Sequence, residues 1–166
     1  MESKVSITTK GKVFEGKAPE IVHKALEDVM YEATSYLERE VKKLTPVGVL
    51  GASGGLVSTI YGEVVKGMPI VKGIVGHQSV YGDVIEKGRR AGKTWPPEGA
   101  LLRWIEMKMG VPEEQAKRLE FIIRRKIGRK GFPGAAMFEN ALNKGWPKLR
   151  KIFDDAGFEI ARKLSE

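Results

Sequence analysis

Between Val5 and Thr9 the chain alternates, Val5 and Ile7 against Ser6 and Thr8, and this period of two predicts a short strand. Gly11 and Gly16 mark a turn region after it. The period then changes. Val22, Ala25, Leu26, Val29, Met30, Ala33, Tyr36, Leu37, Val41 and Leu44 recur at three- and four-residue spacing, which is one buried stripe of a long helix. Pro19 suits the first turn, where its missing N–H costs nothing. Glu20, Glu27 and Asp28 near the start and Lys42 and Lys43 near the end complement the helix dipole. Thr45-Pro46 ends the helix, because proline disfavours helical geometry in the residue before it.

Residues 46–55 are glycine-rich and predict a loop. Three β-like segments follow: Leu56–Val65, Ile70–Val75 and Val80–Glu86, separated by Lys66-Gly67-Met68-Pro69 and Gly76-His77-Gln78-Ser79. Such short connections imply an antiparallel meander. A helix before a meander predicts an α+β fold, one long helix packed on an antiparallel sheet. Residues 88–97 then read as a loop. Helices are predicted over Glu98–Met109 and from Pro112 to about Ile127, with Phe132-Pro133 in the loop Gly128–Gly134. Two C-terminal helices, Ala135–Asn143 and Lys148–Leu164, are expected to be broken at Gly145-Trp146-Pro147. The chain reads as a single domain, 1–166.

Composition narrows the chemistry. The chain has 166 residues, no cysteine and two histidines, His23 and His77. That removes disulfide scaffolds, thiolate metal sites and thiol catalysis, and nearly removes a multi-histidine metal site. The longest uncharged stretch, Leu44–Gly62, carries five glycines and Pro46 and makes a poor membrane span. Met1-Glu2-Ser3-Lys4 has no apolar run behind it, so no secretory signal is expected and a cytoplasmic origin is. The net charge of +8 is concentrated: residues 87–130 hold 13 basic and 5 acidic side chains, while 1–86 hold 10 and 11. Lys117, Arg118, Arg124, Arg125, Lys126, Arg129 and Lys130 lie within fourteen residues with one acid, Glu120. Such a segment fits an acidic protein surface, a solvated helix face or nucleic acid. No nucleic-acid signature accompanies it, and Phe121 and Phe132 are few for base stacking.

Gly51-Ala52-Ser53-Gly54-Gly55 matches G-x-S-x-G, with His77 and Asp83 as tempting partners. A nucleophile elbow needs a strand before the serine and a helix after it. Here the predicted order is the reverse, so no catalytic residue is assigned. The same glycines satisfy no phosphate-loop pattern. Asp83 and Glu86, three apart on a predicted strand, face opposite ways and make no acid–base pair. His77, at a turn, is expected to be exposed, and His23 to be a surface or boundary residue. No cofactor or metal is expected.

Three segments resemble the tail-completion or head–tail joining proteins of long-tailed bacteriophages, similar to minor tail protein Z. The first is Thr45-Pro46-Val47 with Ser53-Gly54-Gly55-Leu56-Val57-Ser58-Thr59-Ile60, similar to T-P-V-D followed by T-G-x-L-R-x-S-I, though the aspartate is absent and Val57 replaces arginine. The second, Tyr81-Gly82-Asp83-Val84-Ile85-Glu86-Lys87-Gly88, resembles Y-A-x-x-x-E-x-G. The third, Gly131-Phe132-Pro133-Gly134-Ala135-Ala136-Met137-Phe138-Glu139-Asn140-Ala141-Leu142, resembles the family's proline–phenylalanine turn and closing helix. Residues 88–130 look like the helical insertion of longer members. The resemblance covers roughly residues 1–145. It implies a non-enzymatic structural protein of the virion tail or neck, made in a bacterial cytoplasm. It also implies a ring of identical copies that contacts connector and tail-tube proteins.

Under that reading the loops 46–55 and 88–97 order on docking, with Leu50, Ser53, Gly54, Gly55, Arg89, Arg90 and Trp95 as assembly residues and Leu50 and Trp95 as anchors. No membrane and no direct nucleic-acid contact are expected. A nucleic-acid-binding module using 117–130 stands as the alternative.

Overall fold

The computed structural model describes residues 16–48, 55–67, 70–92 and 95–165. The fold is α+β, with a long N-terminal helix, two small antiparallel sheets and C-terminal helices. The chain divides into two compact units. One gathers residues up to Leu37 with Gly62–Val75 and Lys144 onward; the other gathers Glu38–Tyr61 and Gly76–Asn143.

Helix α1, Ala18–Leu44, has the predicted extent and buries Val29, Ala33 and Val41 of its stripe. At its end the Thr45 hydroxyl donates to the Val41 carbonyl (2.7 Å), serving an acceptor in the last turn. Strands β1, Ile60–Lys66, and β2, Val71–His77, form a hairpin. In the first unit β2 approaches α1 closely. A Cβ on Gly73 would stand 2.2 Å from Thr34 Oγ1, so any side chain there would force the Thr34 hydroxyl to move. Lys66 Nζ lies 2.6 Å from Glu27 on α1, on the surface of the same unit. The apolar centre here is Val29, Ala33, Leu149 and Ile152, with Tyr36 and Ala156 packed on it.

The second unit carries short helix α2, Gly82–Lys87, and the two-residue strands β3, Gly88–Arg89, and β4, Phe132–Pro133. These strands pair antiparallel, Gly88 opposite Pro133 and Arg89 opposite Phe132. Between them α3, Leu102–Met109, and α4, Glu113–Lys130, pack together as a helical hairpin with Ile105 and Ala116 fully buried. Helix α5, Met137–Ser165, closes the chain.

The expected Val5–Thr9 strand and most of the expected 46–55 loop lie outside the described residues. Three other expectations are corrected. Leu56–Thr59 is not strand: Ser58 and Thr59 hydroxyls donate to the Gly55 and Leu56 carbonyls and close a 3-10 turn over Val57–Thr59. Val80–Glu86 is not a third strand but a turn into α2, so the meander reduces to the β1–β2 hairpin. Its β-prone Val and Ile are overruled by tertiary hydrogen bonds, described below. The C-terminal helices are one. Pro147 sits inside α5, yet Ala141, Gly145, Leu149 and Ile152 form an unbroken buried stripe through it. Packing of that stripe outweighs the bond Pro147 cannot make. Smaller boundary shifts shorten the predicted 98–109 helix to α3 and extend the 112–127 helix to Lys130.

Candidate assembly surface

The second and third resemblance segments, well apart in sequence, meet in a single joint. The Ile85 and Glu86 carbonyls at the end of α2 accept hydrogen bonds from the amides of Ala135 (2.8 Å) and Ala136 (3.0 Å). The Glu86 carboxylate accepts from the amides of Phe138 (3.1 Å) and Glu139 (3.3 Å). Those are first-turn amides of α5 with no intrahelical acceptor, and a carboxylate there also meets the positive end of the helix dipole. Gly88 has φ +74°, and a Cβ on it would lie 2.4 Å from the Gly134 amide nitrogen. A Cβ on Gly134 would lie 2.1 Å from the Glu86 carbonyl oxygen. The Glu86-x-Gly88 and Gly131-Phe132-Pro133-Gly134 patterns are therefore the two halves of one backbone latch.

His77 stands beside this latch. Its ring lies 5.9 Å from that of Phe138, and a Cβ on Gly82 would meet the imidazole at 2.3 Å. The expectation of an exposed His77 is corrected: its side chain is 15% exposed. Asp83 is on a helix rather than a strand, exposed, 3.6 Å from Lys87 and 3.9 Å from His77. Val80, Tyr81 and Val84 are exposed on the same segment.

The helical hairpin is held by a second carboxylate. Glu120, 3% exposed, accepts from the amides of Gly99 (3.1 Å) and Leu101 (2.9 Å), which lead into α3. Arg124 Nε donates to the Pro96 carbonyl (2.8 Å). Trp95 packs edge-on to Phe121 (5.8 Å) and over Gly128, where a Cβ would stand 2.4 Å from its ring. The Gly92 amide donates to the Gly128 carbonyl (3.0 Å). The expectation of a loop across 88–97 is corrected at Gly88–Arg89, which lie in β3.

Of the expected assembly residues, Leu50, Ser53 and Gly54 fall outside the described residues. Gly55 is half-buried at φ +64°, Arg89 is half-buried, and Arg90 is exposed. Trp95 combines its contact with α4 and an exposure of 41%. The basic residues divide by role. Arg124 is half-buried and latches Pro96. Lys117 pairs with Glu113 at 2.7 Å; the shared hydrogen bond raises the lysine above its ordinary value and lowers the carboxyl. Arg118, Arg125, Lys126, Arg129 and Lys130 are exposed and hold no ion pair among the described residues.

Helical geometry places Arg118, Arg125 and Arg129 within about 20° of one line along α4. Ile122, 60% exposed, shares this face, and Phe121, 54% exposed, flanks it. The face therefore offers guanidinium forks beside apolar surface, the mixture enriched at protein docking sites. Among the described residues no His, Asp and Glu group clusters as metal ligands would. No helix among them is long and apolar enough to cross a membrane.

Residue patterns alone missed Glu86 and Glu120 as structural anchors. The available signal for Glu86 was its place two residues before Gly88 in the second resemblance segment. Glu120 had a weaker one, being the lone acid within the basic run. Comparison with family models, curated proteins and solved structures finds no match to this chain.

Proposed function

We infer that the chain is a structural protein of a long-tailed bacteriophage or prophage. It joins, completes or terminates the tail at the head–tail neck as a ring of identical copies. The observation that supports this reading is the latch between Tyr81–Gly88 and Gly131–Leu142. Two of the three segments behind the resemblance meet there and serve one purpose, which is what a shared architecture requires of them. Exposed Val80, Tyr81, Trp104, Met107, Phe121 and Ile122 add apolar surface of the kind that subunit assembly covers. Under this reading the protein is not an enzyme, its partners are its own copies with connector and tail-tube proteins, and its place is the virion.

Native mass spectrometry of the full chain tests the ring: one closed oligomer is expected, and a monomer at every concentration contradicts it. The second reading, nucleic-acid binding, rests on Arg118, Arg125, Lys126, Arg129 and Lys130, exposed cations that hold no ion pair among the described residues. It requires duplex binding that falls steeply with salt.

A further inference from the structure

The arginine face of α4 is exposed, and the chain carries a surface of opposite charge. In the first unit an open groove of about 270 Å³ lies between α1 and the C-terminal part of α5. Asp28 and Glu32 line one wall and Asp155 and Glu159 the other, with Ile152 at its apolar floor. Each acidic pair is one helical turn apart, about 6 Å along the axis, and Arg125 and Arg129 are spaced alike. Glu159 is engaged by Arg162 at 2.8 Å. Glu32 and Asp155 hold no ion pair among the described residues and are exposed. Lys148 and Lys163 bound the stretch of α5 that lines the groove, leaving the acids between them.

We propose that the Arg118–Arg125–Arg129 face of α4 docks into the acidic α1–α5 groove of a second copy of this chain. The proposal rests on the ring reading above and names the surfaces that would build it. Carboxylates on both walls give arginine forks partners in fixed geometry, and Ile122 and Phe121 bring apolar surface to a groove with an apolar floor. Duplex DNA would use the cations but has no use for exposed Ile122, which is why a protein surface fits better. The two patches are different surfaces of one chain, so the contact is heterologous and leaves a free donor and a free acceptor at each step. Repetition closes a ring when the rotation allows.

The test is charge exchange on the full chain, read by sedimentation equilibrium at low and high salt, with circular dichroism confirming that each variant is folded. Arg125→Glu with Arg129→Glu should weaken self-association at least about tenfold, and so should Glu32→Lys with Asp155→Lys. All four substitutions in one chain should restore association, because the swapped charges again oppose each other. If the parent chain associates and neither reversal weakens it, the docking proposal fails while the ring reading stands. If the parent stays monomeric throughout, both fail. If the arginine reversal leaves association intact but abolishes binding to a duplex oligonucleotide, the face belongs to nucleic acid and the proposal is overturned.

Discussion

Removing the Glu86 carboxylate should loosen the start of α5. In Glu86→Ala the amides of Phe138 and Glu139 lose their acceptor, and no carbonyl of α5 can replace it. A capping bond to an ionised group contributes about 1–2 kcal/mol. Glu139 is exposed, so water recovers part of the second bond. The expected loss is therefore about 2 kcal/mol, or roughly 4–8 °C in melting temperature for a chain of this size. Glu86→Gln keeps one acceptor oxygen and loses the charge, so about half that loss is expected. Asp83→Ala is the control: it removes an exposed carboxylate from the same short helix and should be near neutral. Thermal melts followed by circular dichroism measure the stabilities, and amide exchange at residues 138 and 139 localises the effect. If Glu86→Ala melts within about 1 °C of the parent, the latch does not hold α5 and the reasoning is wrong.

Three further outcomes follow from the same geometry. Arg124→Ala should cost about 1–2 kcal/mol by freeing the Pro96 carbonyl, whereas Arg125→Ala, exposed and unpaired among the described residues, should stay within about 0.5 kcal/mol; urea titration separates them. Gly92→Ala meets only backbone strain at φ +77° and should cost about 1–2 kcal/mol. Gly88→Ala adds a collision with the Gly134 backbone and should impair folding outright, read as lost soluble yield. The Glu27–Lys66 hydrogen bond lowers the Glu27 carboxyl below 4.5 and raises Lys66 above 10.5. Its stabilisation is thus present between those values, lost in acid as Glu27 protonates and lost in alkali as Lys66 deprotonates; Glu27→Gln should flatten the acid limb of a stability–pH curve.

Periodicity carried the helices and failed where tertiary contacts decide. The stripe from Val22 to Leu44 was legible because a helix this long repeats its signal over many turns. Val80–Glu86 was misread because its Val and Ile suit either state, while the deciding bonds come from residues 135–139, far along the chain. Gly145-Trp146-Pro147 read as a break because a local pattern cannot weigh Pro147 against the buried stripe on both sides of it. A Cβ on Gly145 would stand 3.0 Å from the Tyr36 ring, so that glycine serves packing rather than a turn. At the candidate surface the basic run was visible. The division between Arg124, which holds Pro96, and Arg118, Arg125 and Arg129, which face outward, needed the helix phase and the position of the 95–101 segment.

The most direct test of the central claim is immunogold electron microscopy of phage particles released from cells that carry this gene. Label should be confined to the head–tail junction or tail terminus, one cluster per particle. Label absent from intact particles and found instead over cellular DNA would contradict it.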